Sequence, residues 1–433
     1  MRRSNLSLAI AWCVTFGIAA AGAATIEVRA ARVLNGRGDL LRNATIVIEG
    51  STITRIGSAT PRSGATTRYD LGNATILPGG IDTHVHIGWH FDANGKTHDD
   101  ENTVEPPAET MLYAVENAWA TLMGGITTVQ SLGAPVDGPL RDRVARGTIP
   151  GPRILTAIDP IEDDKLTPDQ MREAVRQLAA KRADVVKIFA SQSIRTGGGP
   201  TLSQEQLDAI CGEAKARGLR TAVHAHGPES VRRAVLAGCT SIEHGALIGQ
   251  PELDLMAAHG TYFDPNIDLV FRNYFENRQR FIGIGSYSEE GFAQMEKAVP
   301  KALEVFRKAL KTPGLKVVFG TDAVAGAHGR NFEELIYRVQ KGGQDPMAAI
   351  VSATSLAAEC LGLQSTVGTL APAMQADLIA VDGNPLEDIT ALKRVIFVMR
   401  GGVVYKNEPA VTSWRGAPSQ PAARRPRRAV PSR

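Results

Sequence analysis

Residues 77–86 read Leu77-Pro78-Gly79-Gly80-Ile81-Asp82-Thr83-His84-Val85-His86. Pro78-Gly79-Gly80 breaks the structure before it, and the apolar run 81–86 that follows reads as a strand. Side chains alternate on a strand, so His84 and His86 face one side and bring two imidazoles to one point. Seven more apolar runs follow, at 126–130, 153–157, 184–190, 220–224, 240–243, 261–263 and 316–320. Helical patterns separate them, at 110–123, 168–182, 203–217, 228–237 and 331–341. Pro168 and Ser203 are helix starts, and Gly218 and Gly238 are helix ends. Eight strand–helix units predict an α/β fold with a (β/α)8 TIM-like barrel over residues 78–365. The long segment 264–312, between the seventh and eighth runs, reads as a helical insertion near the barrel mouth.

Outside the barrel the pattern changes to β alternation. Ile26-Glu27-Val28-Arg29, Thr45-Ile46-Val47-Ile48 and Ile53-Thr54-Arg55-Ile56 lie before it; Asp377-Leu378-Ile379-Ala380-Val381, Val395-Ile396-Phe397-Val398-Met399 and Val403-Val404-Tyr405 lie after it. Each set is small for a separate unit, so residues 25–77 and 366–408 are expected to join as one small β domain, a β-sandwich, with the barrel inserted between them. At the N-terminus Arg2-Arg3, an apolar run from Leu6 to about Ala21 and the small residues Ala21-Gly22-Ala23 predict a cleaved signal peptide over 1–24. The paired arginines leave Sec and twin-arginine export both open. Such export would place the mature chain in the periplasm or outside the cell, with no stable membrane span expected after cleavage.

The chain has 433 residues, of which 43% are hydrophobic, enough for a large core. Residues 409–433 are Pro/Arg-rich, carry six arginines and no acid, and are expected to be disordered. Subtracting those six and Arg2 and Arg3 from the formal +3 leaves −5 for the body, which gives no case for a nucleic-acid partner. After signal removal only Cys211, Cys239 and Cys360 remain, an odd and sparse set that predicts buried thiols rather than a disulfide framework.

Four further residues join the histidine pair. Lys187 sits inside the apolar run Asp184-Val185-Val186-Lys187-Ile188-Phe189, where a cation is costly. It is either ion-paired or carboxylated by carbon dioxide to N6-carboxylysine, an anion able to bridge two divalent ions. A compact amine suits that chemistry and arginine does not. His224, His244 and Asp322 each lie at or just past the end of a run, where a β/α barrel places its ligands. His84, His86, Lys187, His224, His244 and Asp322 therefore form the expected metal set. His226 points into the same mouth and is either a structural histidine or a hydrogen-bond donor to a substrate carbonyl. Arg195, Tyr262, Arg272, Tyr274 and His328 are candidates for substrate contact, or simply loop and surface residues.

With these residues in place the chain resembles the amidohydrolase superfamily across 26–406. The motifs are 78–86, Val186-Lys187-Ile188, Val223-His224-Ala225-His226-Gly227, Ile242-Glu243-His244-Gly245 and Gly320-Thr321-Asp322. It is similar to the imidazolonepropionase-related branch that holds Xaa-Pro dipeptidases, related carboxypeptidases and ochratoxin-hydrolysing amidases. One departure is Thr127-Thr128-Val129 followed by Gln130-Ser131, where relatives carry Arg-Asp. The resemblance implies two divalent ions, zinc by type. One would sit on His84, His86, Lys187 and Asp322, the other on Lys187, His224 and His244. It implies a bridging hydroxide that attacks the scissile carbonyl, Asp322 as the proton-carrying catalytic residue, and an even-numbered homo-oligomer. The reading is an exported metal-dependent peptidase-like hydrolase of amide bonds in dipeptides or N-acyl amino acids. A deaminase or cyclic-amide hydrolase on the same barrel is the rival enzyme; a metal-bearing binding protein without turnover is the rival of another class.

Overall fold

The structure is a computed structural model that describes residues 25–57, 67–97 and 105–408; the expected signal segment 1–24 and tail 409–433 lie outside those residues. Three of the eight apolar runs form one parallel sheet: β1 (Gly80–Val85), β2 (Ile126–Ser131) and β3 (Arg153–Thr156), in that order. The other five form a second parallel sheet: β4 (Val185–Phe189), β5 (Arg220–Ala225), β6 (Ser241–His244), β7 (Tyr262–Asp264) and β8 (Lys316–Val317), again in chain order. Most of these strands are buried along almost their whole length, which is why they read as continuous apolar runs rather than alternating ones.

Backbone hydrogen bonds link the two sheets on both flanks. Asp184 N donates to Thr156 O at 2.8 Å and Phe189 N to Ile161 O at 3.0 Å, so β4 meets the chain leaving β3. Thr83 N donates to Phe319 O at 3.0 Å, Asp322 N to His84 O at 2.7 Å and His86 N to Ala323 O at 2.8 Å, so the chain leaving β8 runs along β1. The eighth strand is only two residues long because residues 318–323 leave the ladder and bond irregularly to their neighbours.

Helices lie between the strands, and their starts are the ones the sequence marks. Thr167 and Ser203 each close a capping box, with Gln170 and Gln206. The segment 264–312 contributes helices Leu269–Glu276, Arg278–Phe281 and Glu289–Ala309. The terminal strands hydrogen-bond as one continuous mixed sheet of eight rather than as the two separate sheets of the expected β-sandwich, with Leu378–Val381 antiparallel to Thr75–Pro78. The ten-residue strand Thr25–Leu34 keeps that ladder continuous: it pairs with Leu40–Glu49, Thr67–Asp70 and Thr75–Pro78.

The cysteine expectation fails as well. Cys211 and Cys239 are not buried thiols but a disulfide, their Cα atoms 5.4 Å apart. Helices Gln204–Ala216 and Pro228–Leu236 pack side by side, and the turn at Gly238, with φ +75°, brings Cys239 back onto the first of them. Cys360 is the free, buried thiol among the described residues.

Candidate active site

His84 is the penultimate residue of β1, and His86 follows the strand; Lys187 stands in β4, His224 in β5 with His226 just beyond, and His244 ends β6. Asp322 follows β8 and joins them because its backbone N–H is bonded to His84 O. Lys187 Nζ lies 3.3 Å from His84 Nε2. Asp322 Oδ1 lies 3.3 Å from His84 Nε2 and 3.2 Å from His86 Nε2. The rings of His224 and His244 are 4.7 Å apart, and His84 and His244 5.2 Å apart, centre to centre. His244 and Asp322 both hold positive φ, +73° and +51°, which costs on the order of 1–3 kcal/mol each and concentrates at functional sites.

Burial governs the charges here. It holds His84, His224 and His244 well below the ordinary imidazole range, with neighbouring histidines and the Lys187 charge adding to the effect. His226 is pushed down to about 3 by burial, then by Arg195 and Lys187. Burial also lowers Lys187, which forms no ion pair among the described residues. Asp322 is pushed up by burial, but His84, His86 and Lys187 outweigh that and hold it below the usual carboxylate range. Neutral imidazoles with free lone pairs beside an ionised carboxylate are a donor set for a divalent cation. Donor atoms of His84, His244 and Asp322 lie within 4.8 Å of one another, as do those of His224, His226 and His244. The residues present therefore fit metal ions.

A supporting layer lies beneath. Glu243 Oε2 accepts from His84 Nδ1 at 2.9 Å, and its other oxygen accepts from Ser241 Oγ at 2.6 Å. This leaves His84 Nε2 as the nitrogen that faces Lys187 and Asp322. Asp82 accepts from Thr321 Oγ1 and Asn331 Nδ2, both at 2.7 Å, and so ties β1 to the Asp322 loop. Gly320 is required at that loop, since a Cβ there would fall 1.8 Å from Asp264 Oδ2. The uncharged pair Gln130-Ser131 is buried in the same layer. Gln130 donates to Thr83 O at 3.0 Å and accepts from Arg220 Nη1 at 2.5 Å, while Ser131 Oγ accepts from Ile87 N at 3.0 Å.

All six expected metal residues and His226 line one cavity of about 140 Å³. His226 is as close to His244 as His224 is, with its ring stacked at 4.8 Å, and its Nδ1 is buried without a hydrogen-bond partner. Of the substrate candidates, Arg195 and Tyr274 line the cavity. Tyr262 does not: it starts β7 at the far end of the sheet, where its hydroxyl donates to Glu359 at 2.9 Å and Lys316 covers its ring. Arg272 is engaged by Asp268 at 2.9 Å and Glu333 at 2.8 Å, away from the cavity. His328 is outside the lining too, its Nε2 3.1 Å from Trp89 O. The sequence reading omits Glu243, an acid inside an apolar strand, which that oddity could have flagged. It also omits Tyr287, a loop residue with no such signal.

The amidohydrolase family pattern matches residues 75–405. Ochratoxinase from Aspergillus niger is 26% identical over an alignment that covers 88% of this chain and 86% of that protein. A crystal structure of a Xaa-Pro dipeptidase with bound methionine in the active site superposes with TM-score 0.79 and 31% identity, over 88% of this chain and 100% of that one. The 5-methylthioadenosine/S-adenosylhomocysteine deaminase of Symbiobacterium thermophilum is 24% identical, over 86% of this chain and 91% of that protein.

Proposed function

The chain belongs to the amidohydrolase family, and from that premise we propose that it is a two-metal hydrolase of the amide bond in dipeptides, Xaa-Pro included, or in N-acyl amino acids and ochratoxin-like amides. It is a hydrolase acting on C–N bonds. The observation that carries the two-metal reading is Lys187: a fully buried amine, 3.3 Å from a histidine nitrogen, with no carboxylate pair among the described residues. Carboxylation removes that unpaired buried cation and supplies a bridging anion. His84, His86, Lys187 and Asp322 would hold one ion; Lys187, His224 and His244 the other. Such a site takes zinc and also accepts manganese or cobalt. When bound, the ions supply Lewis acidity and an activated water at neutral pH.

The chain's own residues do the rest. Asp322 is ionised at neutral pH and so accepts a proton, then delivers it to the leaving amine. His226, neutral and facing the cavity, hydrogen-bonds the scissile carbonyl. Glu243 holds the His84 ring in place. The two parallel sheets are read as arcs of one (β/α)8 barrel, which the bonds on both flanks support. Export to an oxidising compartment is supported by the Cys211–Cys239 disulfide, and an even-numbered assembly by the resemblance alone.

The test is metal analysis of purified wild type and Lys187→Ala, with dipeptide and N-acyl amino acid panels. Wild type should carry about two equivalents of divalent metal, and the variant should lose metal and activity together. A fully active, metal-replete Lys187→Ala would refute the reading. Ammonia release from nucleobases without amide turnover would favour the deaminase.

A further inference from the structure

The cavity holds a second cation whose role the hydrolytic machinery does not use. Arg195 lies in the short turn Ile194–Thr196 after β4, and it lines the same cavity as the histidines. It is held from several sides. Its Nε donates to Ser286 Oγ at 2.8 Å, its guanidinium lies 3.9 Å from the Tyr287 ring centre and 5.7 Å from that of Tyr274. Helix Glu289–Ala309 packs directly behind it: a Cβ on Gly291 would sit 3.3 Å from Arg195 Cβ. A planar fork packed over the Tyr287 ring, with Tyr274 beside it, and pinned at Nε is pre-organised to grip a planar anion.

What it lacks is an acid. Among the described residues no carboxylate lies within ion-pair distance of Arg195, whereas Arg176, Arg232, Arg233 and Arg272 on the surrounding helices each have one. Asp322 is the one carboxylate lining the cavity, and it is directed at His84 and His86. A largely buried guanidinium held by a hydroxyl and ring faces but by no carboxylate leaves a ligand's negative charge as its missing partner. The walls beside it are Val270, Phe271, Tyr274 and Tyr287, all from the insertion between β7 and β8.

We propose that Arg195 binds the free carboxylate of the amino acid on the amine side of the scissile bond, and that the insertion's apolar wall takes that residue's side chain. This rests on the amide-hydrolase reading above and narrows it to substrates ending in a free carboxylate with an apolar residue. Orientation follows from the opposite flank. A neighbouring cavity of about 480 Å³ shares His86, Trp89 and Phe189 with the first, and Asp159, Glu162 and Asp163 border it. A carboxylate placed there meets like charge, so the acyl part takes that side and the carboxylate turns to Arg195.

The experiment uses metal-loaded full-length enzyme, with N-acetyl-L-phenylalanine and its C-terminal carboxamide as matched probes. Each is followed by turnover and by calorimetric binding, in wild type, Arg195→Met, Arg195→Lys and Ser286→Ala. Wild type should prefer the acid over the amide by about 30-fold or more in kcat/KM, the scale of a desolvated charge-assisted pair. Arg195→Met should erase that preference mainly through KM, with metal content unchanged. Arg195→Lys should restore only part of it, because an ammonium cannot make the fork contact. Ser286→Ala should raise KM for the acid several-fold while leaving the amide alone, which a merely structural Arg195 would not produce. An acid preference that survives in metal-replete Arg195→Met, or a wild type indifferent to the carboxylate, overturns the proposal. If wild type hydrolyses neither probe, binding still decides. Tighter binding of the acid to wild type than to Arg195→Met keeps Arg195 as the anchor while the hydrolytic reading falls; equal or absent binding overturns the anchor too.

Discussion

Glu243→Gln is the most informative single change for the site as built. Glu243 is 1% exposed and makes two hydrogen bonds of defined direction, accepting from His84 Nδ1 at 2.9 Å and from Ser241 Oγ at 2.6 Å. Glutamine has nearly the same volume, so no cavity opens. It has only one acceptor oxygen, however, so one of the two donors must face an amide NH2. If His84 loses its acceptor, its Nδ1 proton is no longer fixed, and Nε2 is no longer committed as the nitrogen that faces Lys187 and Asp322. Losing such an orienting partner typically costs 10–100-fold in metal affinity or activity, or about 1.4–2.8 kcal/mol. The assay is competition against a chromophoric chelator across pH 6–8, in parallel with thermal unfolding of the metal-loaded protein. Weaker metal retention with little change in the unfolding of the chelator-stripped protein is expected. Metal affinity within twofold of wild type would refute the reasoning, because it would mean that His84 is oriented by packing alone.

Three further outcomes follow from the geometry. Asp82 is raised to about 7 by burial, which outweighs the hydrogen bonds from Thr321 and Asn331. Its folded value exceeds its unfolded one, so the metal-free protein should lose a few kcal/mol of stability as pH rises from about 4 to 7 and then level off. Denaturant midpoints across that range check this, and Asp82→Asn should flatten the slope; an unchanged slope would count against it. Reduction of Cys211–Cys239, which closes a separation of 28 residues, should cost about 3–4 kcal/mol. Denaturation with and without reductant measures it, with Cys211→Ser/Cys239→Ser as a control that should no longer respond. Tyr262→Phe should leave turnover within about twofold, because the residue lies at the end of β7 away from the cavity and loses only one exposed hydrogen bond to Glu359. A large loss of kcat/KM there would mean that the site extends through the sheet.

The candidate ligand residues were legible because parallel strands are buried on both faces. Each strand appears in the sequence as an uninterrupted apolar run, and a lysine within it or a histidine or aspartate at or past its end stands out. The eighth run was legible as apolar but not as irregular: residues 318–323 take their hydrogen bonds from three different neighbours, which no periodicity encodes. The same strand polarity that singles out the candidate ligands argues against Tyr262, since it begins its strand rather than ending it. Arg272 was equally readable as structural, with Asp268 and Glu276 four residues away on either side in a helical register. The disulfide was not readable. Cys211 and Cys239 each sit in apolar surroundings, and only the packing of two helices and a left-handed turn brings them within bonding distance.

What remained illegible is also what separates this site from a generic metal centre. The candidate ligands come from the strands and their ends, whose positions the fold fixes. Ser286 and Tyr287, which pin and cover Arg195, come from a loop between helices of the insertion, some ninety residues further along the chain. Nothing in Gly285-Ser286-Tyr287-Ser288 marks it as cavity wall. The chemistry of such a site can therefore be read from short motifs on strands, while its choice of substrate is written in contacts between distant loops. Substituting loop 283–288 should accordingly shift the acid-over-amide preference through KM without displacing metal, and a loop exchange that removed metal instead would place the boundary between the two layers elsewhere.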